Sequence, residues 1–189
     1  MDRREAISSV GLLLGGTIVG SGIFIDIGCQ STPEQVNRFF TQDQLNLLDE
    51  ISETILPTTH TPGAKAAKVA EFISIMVKDC YTQSEQQSFM DGLIKIEEEC
   101  IKINGKNFIK CSPDERTSFL SQMDAQQKSY TENKTSGQPP HYFRMMKELT
   151  LLGFFSSETG ATQVLRYVAV PGKYDGEMPY KKGDRAWAT

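Results

Sequence analysis

Apolar side chains recur every three or four positions through most of residues 41–155, which places them on one face of an α-helix. In residues 41–56 this pattern begins at Thr41, a suitable N-cap, and stops before Pro57. A second pattern spans residues 64–78 and follows the sequence Thr61-Pro62-Gly63. We therefore predict two amphipathic helices, whose apolar faces carry Leu45, Leu48, Ile51 or Ser52, and Ile55 in the first, and Val69, Phe72, Ile73, Met76 and Val77 in the second.

A capping box of Thr82 and Glu85 marks the start of a third helix. The apolar positions that follow are spaced by alternately four and three residues until Asn104-Gly105 ends the run. This spacing predicts a helix of about twenty residues. Its apolar face carries Phe89, Leu93, Ile96, Cys100 and Ile103, and its three consecutive glutamates, residues 97–99, are expected to face solvent.

Two more helices are predicted on either side of a polar loop at residues 131–140. The first begins at the cap Ser112, with Pro113 at its first helical position. The second, residues 141–155, is the most apolar of the chain. The residues expected to be buried are Phe119, Leu120 and Met123 in the first helix, and Tyr142, Met145, Met146, Leu149 and Leu152 in the second.

The chain shows no alternation of apolar and polar residues longer than a few positions, so no strands are predicted. We expect an all-α bundle of about five helices in a single domain, residues 30–189. Ser156 or Ser157 is placed to cap one further short helix that ends near Gln163. Beyond it, residues 169–189 are expected to form an extended aromatic tail strapped over the bundle.

This tail combines aromatic rings with prolines and glycines that prevent any long helix or strand. Such a segment becomes ordered when its rings find pockets, either on its own domain or on a second protein. The two possibilities do not exclude each other. Arg166 could pair with Glu158, with Asp175 or with an acidic group of a partner, and we favour the pair within the domain.

Composition and charge narrow the class of protein. With 189 residues and 39% hydrophobic content, the chain is long enough for one well-packed domain. Its net charge of −4 excludes a nucleic-acid binder, which needs a basic surface.

The sequence contains no motif typical of a catalytic, metal-binding or cofactor-binding site. Its two histidines, His60 and His141, have no second ligand three or four positions away. The chain contains neither a CxxC motif for zinc or haem nor a GxSxG motif for a nucleophile, and its glycines form no dinucleotide-binding turn. We therefore predict no catalytic residue, no metal site and no cofactor in this chain.

The cysteines leave two alternatives open. In an oxidising compartment Cys100 and Cys111 could form a disulfide across the Asn104-Gly105 turn, or Cys100 could remain a buried thiol on its apolar face. With Cys80, three thiols would remain in the mature chain, and one left unpaired could bond to a partner chain.

Residues 1–29 have the features of a signal or anchor segment. A charged head with Arg3-Arg4 precedes an uncharged stretch, residues 6–25, as in a twin-arginine signal. Gly28-Cys29 suits lipoprotein processing, although Asp26 departs from that motif. We expect an exported, periplasmic protein attached to the membrane through its N-terminus, with Cys29 as the lipid anchor. The alternative is an unmodified thiol after an uncleaved anchor.

Two blocks of the sequence resemble a known family. One comprises residues 158–163, Arg166-Tyr167 and residues 170–176, and the other comprises residues 55–64 and 69–73. They are similar to the small subunit of membrane-bound gluconate 2-dehydrogenase. The resemblance implies an accessory subunit that exports, docks and stabilises a flavin-dependent sugar dehydrogenase of the glucose-methanol-choline type. It also implies that FAD lies in that catalytic partner and haem c in a c-type cytochrome partner.

The residues expected to contact the partner are aromatic, basic or placed in exposed loops, because tyrosine, tryptophan and arginine commonly anchor interfaces. They are His60, Pro62, Gly63, Phe154, Phe155, Arg166, Tyr167, Tyr174, Asp175 and Trp187. For the loop around His60 the alternative is a purely structural turn. The competing function is a stand-alone exported lipoprotein that binds a sugar or peptide beneath the C-terminal tail.

Overall fold

The computed structural model describes residues 39–170, 172–173 and 175–188. Arg3, Arg4, Cys29 and Tyr174, which the sequence assigned to export, lipid attachment and partner contact, lie outside the described residues. Their roles therefore remain predictions, as does a domain boundary at residue 29.

The described residues form a helical bundle, which confirms the predicted all-α fold. They contain no strand, only an isolated bridge between Arg166 and Trp187. The helices are α1 (Gln42–Ile55), α2 (Val69–Cys80), α3 (Gln83–Asn104), α4 (Pro113–Asn133) and α5 (Tyr142–Ser156), with a 3₁₀ turn at Phe108–Lys110 and a π-helical turn at Gly160–Val164.

Three helices begin with the caps that the sequence predicted. The side chains of Thr41, Thr82 and Ser112 each accept a hydrogen bond from the backbone three residues later. In each case the side chain at that third position bonds back to the cap's own N–H, which completes a capping box. At the other end of α3, Gly105 adopts the left-handed conformation (φ 70°) typical of a helix C-cap.

Helix α2 begins at Val69, five residues later than the predicted start at Ala64. Lys68 lies in the left-handed region (φ 53°), which separates the helix from the turn before it. The backbone N–H groups of Ala64 and Lys65 donate to Leu56 and to the Glu53 carboxylate, respectively. Residues 64–68 therefore form a turn that is bonded to the end of α1, and the left-handed Lys68 keeps this turn from continuing into α2.

Helix α5 lies at the centre of the bundle and packs against α1, α2, α3 and α4. Its buried residues are Tyr142, Phe143, Met145, Met146, Leu149, Thr150, Gly153 and Phe154. The hydroxyls of Thr150 and of Ser52 in α1 lie 3.4 Å apart inside the core. A Cβ on Gly153 would lie 2.5 Å from Cδ1 of Phe72, so α2 can approach this closely only because the position is a glycine.

Two residues expected in the core are exposed. Leu152 is 52% exposed because the neighbouring Gly153 and Phe154 occupy the inner face of α5. Ile103 is 53% exposed because Asn104 is the half-buried residue of that last turn, where its amide donates to the Cys100 sulfur at 3.5 Å. The other four residues predicted on each of these two apolar faces are buried, so both faces are confirmed apart from one position.

Ion pairs connect helices that are distant in sequence. Glu50 of α1 pairs with Lys65 at 2.6 Å and with Arg116 of α4. Burial alone would raise the pKa of Glu50, but the two cations outweigh it and the pKa is lowered. Asp124 of α4 pairs with Lys147 of α5 at 2.6 Å and with Lys128 at 2.9 Å. Hydrogen bonds from Lys147 and then Lys128 lower the pKa of Asp124 to about 2.

We expect Gly153→Ala to lower the free energy of unfolding by about 1–2 kcal/mol, because the added methyl group displaces Phe72. In a Phe72→Ala background the same change should be neutral or stabilising by up to about 1 kcal/mol, since alanine favours a helix over glycine. Urea unfolding of the four proteins of this double-mutant cycle measures the coupling. Equal costs in both backgrounds would contradict the close approach of α2 to α5.

The Asp124 pairs predict a loss of stability in acid. Because the pKa of Asp124 is lowered in the folded state, its contribution is complete above about pH 4 and disappears as the pH falls toward about 2. Urea midpoints measured across this range should fall more steeply for the unmodified protein than for Asp124→Asn. Parallel curves for the two proteins would show that the pairs add nothing.

Candidate docking site at one end of the bundle

Three helix termini meet at one end of the bundle. The C-terminal parts of α1 and α5 are joined by the contact between Ser52 and Thr150. The first turn of α2 lies beside the C-terminal part of α5, where Phe72 reaches Gly153. The loop between α1 and α2 and the chain that follows α5 therefore leave the bundle at the same end. These two segments and the last turn of α5 carry the residues predicted to contact a partner.

The Glu53 carboxylate organises the loop between α1 and α2. The backbone N–H and the hydroxyl of Thr58 donate to Glu53 Oε1 at 2.9 and 2.7 Å. The N–H of Lys65 donates to Oε2 at 2.9 Å. The Gly63 N–H in turn donates to the Thr58 hydroxyl at 3.1 Å. One side chain thus fixes both ends of a loop whose tip carries the exposed His60.

Gly63 is buried inside this loop and has a structural role. A Cβ at this position would lie 2.5 Å from Glu53 Oε2 and 2.6 Å from the Thr58 backbone nitrogen, so no larger residue fits. Pro62 is half-buried. Of the three loop residues predicted to contact a partner, His60 is therefore the one that is exposed.

The chain leaves α5 through a tight π-helical turn. The Ser157 side chain accepts a hydrogen bond from the Gly160 N–H at 2.9 Å, which is the capping role predicted for Ser156 or Ser157. The Leu165 N–H then donates to the Gly160 carbonyl at 2.9 Å and closes the turn. Val164 packs against the core, so the turn is attached firmly to the bundle.

Arg166 and Trp187 bring the two ends of the tail together. The Arg166 N–H donates to the Ala186 carbonyl at 2.8 Å, and the Ala188 N–H donates to the Arg166 carbonyl at 3.1 Å. The Arg166 guanidinium carbon lies 4.3 Å from the centroid of the Trp187 ring, a cation–π contact. We call this arrangement of residues 166 and 186–188 the clasp.

The clasp replaces the ion pair that was favoured for Arg166. Neither Glu158 nor Asp175 forms an ion pair with Arg166 in the described part of the chain. Asp175 instead accepts the Glu177 N–H at 3.2 Å within its own turn and lies 3.7 Å from the Lys173 ammonium. Arg166 is therefore held within the tail by a cation–π contact with Trp187 and two backbone hydrogen bonds, and not by a carboxylate.

The aromatic residues at this end divide into buried and exposed ones. Phe154 is 3% exposed and belongs to the core, which corrects its assignment to the partner surface. Phe155, Tyr167, Tyr180 and Trp187 are all exposed, with Tyr167 at 50%. Among the described residues, these four rings are therefore only partly covered by their own domain.

A second apolar surface was missed by the sequence analysis. A groove of about 530 Å³ runs between α1, α3 and the 3₁₀ turn, and its lining includes the exposed Ile94, Ile101 and Ile109. Glu97 lies in this groove and is half-buried. The prediction that residues 97–99 face solvent is therefore wrong for Glu97. The spacing of Ile94 and Ile101 by seven residues on the outer face of α3 was the available signal.

The buried position of Glu97 has an electrostatic consequence. Burial raises the pKa of its carboxyl group, although the Phe108 N–H and the Asn107 side chain donate to it. Its Oε2 atom is buried without a hydrogen-bond partner in the structure. Glu97 thus supports the 3₁₀ turn from one side of the groove.

Neither a metal centre nor a membrane-spanning helix is found among the described residues. Within residues 39–188, apart from residues 171 and 174, no three histidine, cysteine, aspartate or glutamate side chains come together as metal ligands. No helix in this part of the chain is both long and apolar enough to cross a bilayer.

Replacing the carboxylate of Glu53 tests how the His60 loop is held. Glu53→Gln puts an amide donor opposite a backbone donor of Thr58 or Lys65, so we expect the free energy of unfolding to fall by about 1–3 kcal/mol. Glu148→Gln is the matched control, since its exposed pair with Arg144 should contribute at most about 0.5 kcal/mol. Urea unfolding gives both values, and equal effects would show that Glu53 does not hold the loop.

Comparison with known proteins identifies the family. The family model described as gluconate 2-dehydrogenase subunit 3 matches residues 42–172, from the first residue of α1 to the beginning of the tail. No curated protein and no solved structure matches the chain. The matched region contains all five helices of the described bundle, the Glu53-centred loop and Arg166, and covers more than half of the chain. The chain belongs to the gluconate 2-dehydrogenase subunit 3 family.

Proposed function

We propose that this chain is the non-catalytic accessory subunit of a membrane-associated, flavin-dependent sugar or gluconate dehydrogenase, and that it docks and stabilises the catalytic subunit. The family match over residues 42–172 supports this proposal, because the family is named for subunit 3 of gluconate 2-dehydrogenase. The redox chemistry belongs to the partners: FAD in a catalytic chain of the glucose-methanol-choline type, and haem c in a c-type cytochrome.

The end of the bundle that carries the clasp is the proposed docking surface. Exposed aromatic rings and an arginine are the residues that most often anchor protein interfaces. Here Phe155 lies exposed in the last turn of α5, and Tyr167 and Trp187 lie exposed on the segment that follows the π-helical turn. The Arg166 guanidinium is already held over Trp187, so less side-chain freedom is lost when a partner binds.

The loop between α1 and α2 extends this surface. His60 is exposed at its tip, and the hydrogen bonds to Glu53 hold the loop in one conformation. Both segments leave the bundle at the same end, so one partner face could contact both.

The N-terminal residues complete the proposed role. Arg3 and Arg4 would direct export by the twin-arginine route, which carries folded proteins, and the flavoprotein would travel with this chain. Cys29, once lipidated, would attach the complex to the periplasmic side of the membrane.

Co-expression with the catalytic subunit tests the docking surface. We expect the unmodified chain to copurify with a protein that shows flavin absorbance, and Trp187→Ala to weaken the complex by roughly tenfold or more, as expected for an aromatic interface anchor. Binding is measured by titrating purified catalytic subunit. Ile101→Ala, which shortens an exposed apolar residue of the α3 groove, is the matched control and should leave the affinity unchanged.

Two results would contradict the proposal. Loss of binding in Ile101→Ala with full binding in Trp187→Ala would place the interface on α3. A catalytic subunit that is stable, active and exported in cells lacking this chain would remove the accessory role altogether.

A further inference from the structure

Two buried thiols meet where α3 passes into the 3₁₀ turn. The sulfur atoms of Cys100 and Cys111 lie 3.5 Å apart, and both residues are free thiols in the structure. Cys100 is completely buried on the inner face of α3, and Cys111 directly precedes the cap of α4. Their contact brings the last turn of α3 against the start of α4.

The surroundings leave these sulfurs facing each other. Cys100 also accepts a hydrogen bond from the Asn104 amide at 3.5 Å, and Cys111 donates to the Asn107 carbonyl at 3.5 Å. A disulfide needs the sulfur atoms to close to about 2 Å, a movement of roughly 1.5 Å from the observed separation. The intervening turn contains the exposed Gly105, so its backbone can accommodate a movement of this size.

We propose that Cys100 and Cys111 form an intramolecular disulfide that staples the end of α3 to the start of α4 in the mature protein. The oxidant is a disulfide-bearing molecule. One cysteine thiolate attacks its sulfur–sulfur bond, forms a mixed disulfide and releases one thiol; the other cysteine then displaces the second thiol. The two cysteines lose two electrons and two protons in all, and the oxidant becomes two thiols.

Burial determines when this reaction takes place. It raises the pKa of Cys100 to about 11, so in the folded protein this thiol is protonated and a poor nucleophile. The bond therefore forms while the chain folds or when the turn at residues 105–110 opens. Once formed and buried, it is shielded from reducing agents, as expected of a structural disulfide.

The inference rests on the geometry of the helical bundle and on the proposed export to an oxidising compartment, but not on the proposed docking function. A chain that never met a flavoprotein would still form the bond in an oxidising compartment, and a docking subunit kept reduced would still fold. Cys80 is the internal control, because it is an exposed free thiol whose sulfur donates to the Met76 sulfur at 3.8 Å.

Peptide mapping tests the bond directly. The full chain is refolded with oxidised glutathione, its remaining thiols are alkylated, and it is digested with trypsin without reduction. Cleavage after Lys102, Lys106 and Lys110 separates the two cysteines. We expect peptide 96–102 to be joined to peptide 111–116, lighter than their sum by two hydrogen atoms, and Cys80 to be alkylated. Reduction should release both peptides.

A stability measurement shows whether the bond acts as a staple. The oxidised protein should unfold at a temperature about 5–10 °C higher than the reduced protein, as expected for closing a loop of this length in a domain of this size. Cys80→Ser should keep this difference, and the paired variant Cys100→Ala with Cys111→Ala should lose it. Alkylation of both Cys100 and Cys111 after refolding, or a bond from either one to Cys80, would overturn the proposal.

Discussion

The fold depends on the burial of α5, which packs against each of the other four helices of the described bundle. Its inner face is apolar from Tyr142 to Phe154, and Gly153 allows Phe72 of α2 to approach the helix axis closely. Because α1 and α2 both meet the C-terminal half of α5, the loop that joins them lies beside the chain that follows α5. The packing of one helix thereby determines which two segments share a surface.

Polar groups then give these segments their shape. Glu53 satisfies backbone donors at both ends of the His60 loop, donors that neither α1 nor α2 could satisfy. Glu50, one turn earlier, joins the same region to α4 through Arg116. Two carboxylates on a single helix thus connect the loop, α1 and α4, which explains how an irregular segment between two helices can have a defined conformation.

The sequence predicted the elements of this fold well and the site only in part. The caps Thr41, Thr82 and Ser112 and the apolar spacing were sufficient for the helices because these signals act within a few residues. The start of α2 was wrong because Glu53, eleven residues before Ala64, controls the intervening backbone. Phe154 and Leu152 could not be assigned correctly either, since which of two neighbours faces the core depends on how closely Phe72 packs. The stacking of Arg166 on Trp187 joins positions far apart in the chain, so no pattern of neighbouring residues could predict this contact.

The clasp closes the C-terminal tail into a loop, because it joins residue 166 to residues 186–188. Its ends are tied to each other near the π-helical turn, so the chain between them samples far fewer arrangements than a free terminus of equal length. The free energy of such closure rises slowly with length, by about 0.6 kcal/mol for each doubling. Relatives of this protein could therefore lengthen or shorten this loop substantially, and so alter the shape presented to a neighbour, while the helices beneath stay as they are.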